Sequence, residues 1–169
     1  MAEDKLIENA QLYAEDFVPG LQFRGEPVVL SLQHFSGFAA LTGDAHPIHY
    51  DEGYAAQTRF KRPIAHGLLL MALTALGATA MSRRLEESMI ALVEQDARFL
   101  RPAFVGDRVR VQFTLEAVGM KPGKGAAIVR FSVRLLNEAQ EPLLEGHHTY
   151  LIRSRWTIET ASAHRSSET

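Results

Sequence analysis

The residues of this chain that are best suited to chemistry lie in one short stretch, Thr42–Asp51, and at Ile64–Gly67 shortly after it. Gly43 and Pro47 predict that the first stretch is a loop, and a loop rich in Asp and His is a better candidate for catalysis than for packing. A long apolar segment starts at Gly67 and predicts a helix whose first N–H groups lack partners within the helix. An acid and a base beside a helix N-terminus suit a reaction that builds negative charge on a carbonyl oxygen.

The composition is that of an ordinary globular protein. The chain has 169 residues, of which 46% are hydrophobic and 22% charged, and this size favours a single domain. The lack of Cys excludes disulfides, thiolate nucleophiles and cysteine-based metal sites. A net charge of -2 argues against a nucleic-acid partner held by charge alone. Met1–Lys5 lacks a secretory apolar core and Gly67–Met81 is too short to span a bilayer, so we expect a cytoplasmic protein with no membrane partner.

The elements that must position the loop are predicted from hydrophobic periodicity and capping. Ser31 predicts the N-cap of a short helix that runs to Leu41, and Asp51–Gln57 predicts another short helix. Gly67–Leu85 is apolar on almost every side, which predicts one long buried helix. Alternation and β-rich composition predict strands at Phe23–Leu32, Ile90–Phe99, Val109–Glu116, Ala127–Leu135 and Leu143–Arg153.

One very hydrophobic helix with about five mostly antiparallel strands predicts an α+β fold in which the sheet curls around the helix. Residues 17–155 are predicted to form this domain, residues 1–16 a loose N-terminal arm, and residues 156–169 a polar C-terminal tail. The open edges of such a sheet need cover, and pairing of two copies edge to edge would provide it. We therefore expect a homodimer or a higher homo-oligomer.

Three segments, Phe38–Asp44, Pro47–His49 and Ala65–Gly67, together resemble the MaoC-like hydratase/dehydratase family, which includes (R)-specific enoyl-CoA hydratases. The likeness extends over roughly residues 17–153. The resemblance implies a hotdog fold, in which an antiparallel sheet wraps one long helix. It also implies a lyase of fatty acid metabolism that converts enoyl-CoA to 3-hydroxyacyl-CoA or the reverse. Coenzyme A would be part of the substrate, and no other cofactor is implied.

Asp44 and His49 stand at the spacing of the family's catalytic pair, and the resemblance implies that role for both. The chain departs from the family at His46, where Asn is usual, and at Ala72, where some of the family's enoyl-CoA hydratases carry Ser. These departures affect the identity of the substrate more than the type of reaction.

The remaining candidates concern substrate binding. The N–H of Gly67 is predicted to hold the thioester oxygen, because glycine allows close approach and the helix dipole favours negative charge there. His46 and His66 either contact the substrate or fix the loop. The basic cluster of Arg59, Lys61 and Arg62 is either a solvated surface or the partner of the coenzyme A phosphates.

Several alternatives stay open at the level of sequence. His46, His49 and His66 have the ligand types of a zinc site, but the short Pro-bent loop does not assure that they face one another, and we expect no metal. A hotdog thioesterase is an alternative, because one fold serves several reactions. A non-catalytic acyl-CoA-binding module is another. His147 and His148 are predicted to be structural residues on opposite faces of the last strand.

Overall fold

The computed structural model of the chain describes residues 10–121 and 125–155. Within them, the α-helices are α1 (Leu32–Thr42), α2 (Glu52–Ala56), α3 (Gly67–Ala72) and α4 (Met81–Arg84). The strands are β1 (Gln22–Arg24), β2 (Val28–Val29), β3 (Met89–Phe99), β4 (Arg108–Lys121), β5 (Ala126–Leu136) and β6 (Pro142–Arg153). Short 3-10 turns occur at Ala14–Asp16, Pro47–His49 and Leu76–Ala78. The predicted tail, and the predicted arm up to residue 9, lie outside the described residues.

The strands form one antiparallel sheet in the order β1-β4-β5-β6-β3, with β2 also paired to β4. The four long strands predicted from period-two alternation are confirmed. The described strands number six rather than about five, because the predicted strand Phe23–Leu32 is divided at Gly25–Pro27. Proline has no N–H to give to a sheet, which explains the interruption.

The helices pack on one face of the sheet and enclose a core of aliphatic and aromatic side chains. Phe35 of α1 and Leu70 of α3 belong to the same buried cluster as Phe113 of β4 and Phe131 of β5. The first described residues already join this core, since Ala14 is buried in it. Burial of this apolar face is what holds α1 and α3 over the sheet, and these two helices flank the predicted catalytic loop.

The prediction of one long helix over Gly67–Leu85 was wrong. Helix α3 ends at Ala72, and a 3-10 turn and the short α4 follow it as separate segments. At the break, the hydroxyl of Thr74 donates to the carbonyl of Met71 over 2.6 Å, and Ala75 adopts φ −57° and ψ 126°, outside the helical region. A threonine hydroxyl that bonds to local carbonyls competes with the helix, and Gly77 weakens it further.

None of the described helices combines the length and the hydrophobicity that crossing a membrane requires.

Candidate active site

The loop that was predicted from sequence begins where α1 is stopped by a glycine. Ser31 caps the N-terminus of α1, as predicted, and Gly43 ends the helix with φ 77°, a left-handed conformation that other residues adopt only with strain. The N–H of Gly43 donates to the carbonyl of Ala39 over 2.8 Å. The chain therefore changes direction at Gly43, and Asp44 is the first residue of the loop that follows.

Asp44 and His46 shape the turn that follows. The N–H of His46 donates to Oδ1 of Asp44 over 3.3 Å, and Nδ1 of His46 accepts from the N–H of Ile48 over 3.3 Å. His46 is thus the N-cap of the 3-10 turn Pro47–His49, and its exposed ring lies edge-on to Tyr54 at 5.6 Å between centroids. The structure gives His46 a role in fixing the loop; its predicted contact with substrate stays a prediction.

The structure brings Asp44, His49 and His66 together. One oxygen or nitrogen from each of these three side chains lies within 4.8 Å of the other two. Nδ1 of His49 lies 2.7 Å from the carbonyl oxygen of Ile64, and because a carbonyl can only accept, Nδ1 carries the proton. Nε2 of His49 is therefore left as a proton acceptor. Asp44 is exposed and His49 is half-buried, so a reactant from solvent can reach this pair.

His66 packs against the ring of His49 on its buried side. Its ring is buried, with 2% of its surface exposed, and stacks on His49 with centroids 3.8 Å apart and planes inclined by 26°. Burial, helped by the neighbouring His49, lowers the pKa of His66, against the opposing influence of Asp44. A neutral His66 places no positive charge beside the ring of His49 at neutral pH.

Tyr50 joins the parts of the site and was missed at the sequence level. Its hydroxyl lies 2.7 Å from Nε2 of His66 and 3.1 Å from the carbonyl oxygens of Asp44 and Phe35. The hydroxyl can donate its one proton to a carbonyl while it accepts the Nε2 proton of His66. The position of Tyr50 directly after His49 was the only available signal, because its partners are distant in sequence.

The trio that converges differs from the trio of histidines considered for zinc, because Asp44 takes the place of His46. The lone pairs of imidazole nitrogens lie in the ring plane. The rings of His49 and His66 are stacked with their planes inclined by 26°, so lone pairs in the two ring planes run in similar directions rather than toward a common point. One atom from each of Asp44, His49 and His66 nevertheless lies within metal-binding range of the others, and the expected absence of a metal stays a prediction.

Gly67 borders a cavity of about 280 Å³ whose lining includes Ile64, Ala65, Phe99 and Arg59. Among the described residues, no side chain caps the N-terminus of α3, where Gly67 lies. A Cβ atom at Gly67 would lie 3.0 to 3.2 Å from the ring of Phe99. Glycine at this position therefore keeps the ring and the helix N-terminus in close contact.

The three side chains of the predicted basic cluster do not form one site, because each makes a different contact. Arg59 lines the cavity at Gly67. The guanidinium of Arg62 lies 3.7 Å above the ring of Phe104, and Nζ of Lys61 donates to the carbonyl of Ala56 over 3.4 Å. Arg59 is thus the member of the cluster best placed to meet a ligand that enters this cavity.

His147 and His148 face opposite sides of β6, as predicted. Nδ1 of His147 lies 3.1 Å from a carboxylate oxygen of Asp96 on the outer face. His148 is buried, with 2% of its surface exposed, and lies on the inner face among side chains of the core.

Comparison with known proteins places this site in context. Residues 17–138 match the family model described as MaoC like domain. An (R)-specific enoyl-CoA hydratase of Rhodospirillum rubrum is 30% identical over 155 residues, which cover 92% of this chain and 99% of that protein. An (R)-specific enoyl-CoA hydratase of Aeromonas caviae is 36% identical over 83 residues, 49% of this chain, and the match spans only 60% of that enzyme.

Solved structures give the same picture of the fold. The monoamine oxidase regulatory protein of Archaeoglobus fulgidus has a TM-score of 0.79 and 29% identity, over 86% of this chain and 96% of that one. A double-hotdog protein of Mycobacterium tuberculosis has a TM-score of 0.70 at 19% identity, over 85% of this chain and 44% of that one. The predicted α+β hotdog fold is confirmed, with the central helix interrupted as described above.

Proposed function

We propose that this chain, which belongs to the MaoC-like domain family, is a carbon–oxygen lyase. In this proposal it adds water to an enoyl-CoA thioester and catalyses the reverse dehydration. The names of the relatives supply the class of reaction. The observation that carries the proposal for this chain is the convergence of Asp44, which is exposed, and His49, whose Nδ1 is held by the carbonyl of Ile64 so that Nε2 is the ring atom left to accept a proton.

In this proposal, Asp44 and His49 hold one water molecule between them. As the water oxygen attacks C3 of the enoyl group, one of the two side chains takes a proton from the water, and C2 receives a proton from the pair. The bond between Ile64 and Nδ1 of His49 keeps the imidazole in the tautomer that can accept at Nε2. His66, buried and neutral, fixes the plane of the His49 ring by stacking.

Negative charge develops on the thioester oxygen when C3 is attacked, and the proposal assigns the N–H of Gly67 to that oxygen. The uncapped N-terminus of α3 supplies the donor, and the cavity at Gly67 supplies the space. Arg59 in the lining of that cavity is the proposed partner for a phosphate of coenzyme A. The coenzyme A enters as part of the substrate, and the reaction as proposed uses no further group.

Replacement of one carboxylate tests the proposal, with a neighbour as the matched control. We expect Asp44→Asn to lower kcat/KM for hydration of trans-2-enoyl-CoA substrates by about 100-fold or more, because proton transfer by a positioned side chain contributes roughly that factor. Asp51→Asn should retain parental activity, since Asp51 caps α2 through the N–H of Tyr54 and asparagine caps equally well. Loss of absorbance by the conjugated thioester measures the rate.

The same assay separates the competing functions. Full activity of Asp44→Asn on a substrate that the parent converts would show that Asp44 is not catalytic. Release of free coenzyme A thiol from saturated acyl-CoA would identify a thioesterase. Tight binding of acyl-CoA with no turnover of short, branched or aromatic enoyl-CoA thioesters would identify a binding module.

The proposal includes a homodimer joined along β3. This strand is the last in the sheet order and pairs on one side with β6. Three of its apolar side chains are exposed: 45% for Ile90, 49% for Leu92 and 53% for Val93. A second copy of the chain is the proposed cover for this edge.

A further inference from the structure

The proposed hydratase function does not by itself assign a role to the cavity between the helical segments and β3. We propose, resting on that function, that this cavity holds the acyl tail of the substrate, and that a polar floor made of Gln95, His148 and Tyr150 selects a tail that carries a neutral oxygen acceptor, such as a ketone, ester or ether.

The cavity lies between the interrupted central segment and β3. Its volume is about 410 Å³, within the range of pockets that hold small organic ligands. Its apolar walls include Met71, Ala72, Ala75, Leu76, Leu85 and Met89. Two small residues, Ala72 and Ala75, stand where the helical segment breaks, and the short side chains leave the cavity open there.

Helix α3 connects the candidate active site to this cavity. Gly67 at its first position is the proposed partner of the thioester oxygen, and Ala72 at its last position lines the cavity. With a rise of about 1.5 Å per residue, these positions are roughly 7.5 Å apart along the helix axis. An acyl chain that extends from the thioester along α3 therefore reaches the cavity within a few carbon atoms.

Hydrogen bonds connect the members of the polar floor. Nε2 of His148 lies 2.8 Å from the amide nitrogen of Gln95, and Nδ1 lies 3.1 Å from the hydroxyl of Tyr150. His148 and Tyr150 are almost fully buried, with 2% and 4% of their surfaces exposed. Thr74 beside them already donates its hydroxyl proton to Met71.

Thr74 also lies in this network, with its hydroxyl oxygen 3.2 Å from Nε2 of His148 and 3.4 Å from the amide nitrogen of Gln95. Two placements of the protons show where a donor is left without a partner inside the network. If the Gln95 amide donates to Nε2 of His148, then Nδ1–H donates to the Tyr150 oxygen, and the phenol proton has no acceptor among the described residues. If the amide is turned so that its oxygen accepts from Nε2–H, then Nδ1 accepts the phenol proton, and the amide N–H groups of half-buried Gln95 have no partner within this network. In the first arrangement the donor without a partner is the buried hydroxyl of Tyr150, which is costly, and a ligand oxygen removes that cost. In the second arrangement the amide of Gln95, which lines the cavity, is the donor available to a ligand oxygen.

The charge of the side chains that line the cavity determines whether it accepts a neutral oxygen group or a carboxylate on the acyl tail. Burial lowers the pKa of His148 to about 4 and raises that of Tyr150 to about 12, so both side chains are neutral at pH 7. Among the described residues that line the cavity, the one charged side chain is Glu86, which is acidic and exposed. An ionised carboxylate on the tail would find no cation there, whereas a neutral carbonyl or ether oxygen finds a donor.

A comparison of tails tests the inference. The substrates are trans-2-octenoyl-CoA, analogues that carry a ketone near the end of the chain, and the analogue that ends in a carboxylate. For at least one ketone position we expect kcat/KM about tenfold above that of the plain chain, the factor that one net hydrogen bond supplies. The carboxylate analogue should be the poorest of the three.

A pair of glutamine variants shows whether the floor causes the preference. Gln95→Leu should reduce the ratio of kcat/KM for the ketone chain to kcat/KM for the plain chain to about one. Gln112→Leu is the matched control, since Gln112 is a half-buried strand residue between two core residues, Val111 and Phe113, and away from the cavity. This variant should keep the parental ratio.

Failure of the inference can be told apart from failure of the proposed function. If the parent hydrates the plain and ketone chains with equal kcat/KM, selection by the floor is wrong and the hydratase function stands. If no enoyl-CoA is hydrated, the hydratase function is wrong, and calorimetric titration with octanoyl-CoA and its ketone analogues then decides on the cavity. About tenfold tighter binding of a ketone analogue supports tail selection, and equal Kd values overturn it.

Discussion

At the residue scale, the hydroxyl of Tyr50 connects Asp44, Phe35 and His66, three parts of the site that are far apart in sequence. We expect Tyr50→Phe to lower the free energy of unfolding by about 1 kcal/mol, because partners of a partly buried hydrogen bond are left without it. The loop that carries Asp44 would also lose an anchor, so kcat/KM should fall by about tenfold, a change equivalent to roughly 1.4 kcal/mol. Urea unfolding and the hydration assay measure the two effects.

Tyr54→Phe is the matched control for this variant. The ring of Tyr54 packs near His46, and among the described residues its hydroxyl has no hydrogen-bond partner. If Tyr50→Phe proves as stable and as active as Tyr54→Phe, the hydroxyl of Tyr50 does not anchor the site.

The buried His148 makes stability depend on pH. Its pKa is lowered to about 4 in the folded protein and is near 6.5 in the unfolded chain, so the unfolded chain binds the proton first as the pH falls. The stability present above pH 6.5 is therefore lost progressively down to about pH 4. From pH 7 to pH 4.5 we expect the free energy of unfolding to fall by roughly 2 kcal/mol from this residue alone.

Urea unfolding of the parent and of His148→Gln at both pH values measures this contribution. The variant starts from lower stability but should lose less of it on acidification, because glutamine does not titrate. His66, whose pKa is also lowered by burial, contributes in the same direction in both proteins. Parallel pH profiles for parent and variant would contradict the prediction.

The sequence was sufficient to identify Asp44, His49 and His66 as candidates, because their residue types and spacing are local features. It was not sufficient for Tyr50 or Gln95. The importance of those two residues comes from hydrogen bonds that span 15 to 53 positions, and neither periodicity nor loop chemistry carries that information.

At the scale of elements, the end of α1 fixes where the catalytic loop begins. Gly43→Ala should lower the free energy of unfolding by about 1 kcal/mol, because an L side chain at φ 77° is strained. Since Asp44 follows directly, activity should fall as well. Gly37→Ala in the same helix is the opposite case: its Cβ meets nothing within 4 Å, and alanine in a helix interior should add about 0.5 to 1 kcal/mol.

Thermal or urea unfolding of the two variants beside the parent checks both signs. Equal effects of Gly37→Ala and Gly43→Ala on stability would show that the left-handed conformation of Gly43 is not what ends the helix.

Helices and strands that are marked by short-range sequence features, such as a cap or period-two alternation, were predicted from the sequence. The cap at Ser31 and the period-two alternation predicted α1 and three of the long strands to within one residue at each end. The fourth, β4, was predicted to end at Glu116 but runs on to Lys121. The break after Ala72 was not predicted, because hydrophobic residues packed as separate short segments give the same apolar run as one continuous helix. The competing hydroxyl of Thr74 was the available local sign.

At the scale of the whole molecule, the exposed apolar edge of β3 predicts self-association. If the parent forms the proposed dimer, Val93→Lys should be a monomer at micromolar concentration, because a charge on an edge strand opposes pairing with a second strand. Sedimentation velocity measures the mass. Val18→Lys is the control, since Val18 is also exposed, at 66%, but lies outside the sheet.

A parent protein that sediments as a monomer would refute pairing along β3, as would a Val93→Lys variant that stays dimeric. The sequence led to the expectation of a dimer through the general need to cover sheet edges. It could not indicate which edge, because the strand order arises from long-range pairing: β3 pairs with β6, some fifty residues further along the chain.

The interruption after Ala72 also has an evolutionary implication. Proton transfer is proposed for residues that precede this break, and choice of tail for residues at and beyond it, with only the six residues of α3 between the two groups. Mutations that reshape the far compartment can therefore accumulate without disturbing the acid and the base. A lineage built on this scaffold can acquire new substrates while it keeps one reaction.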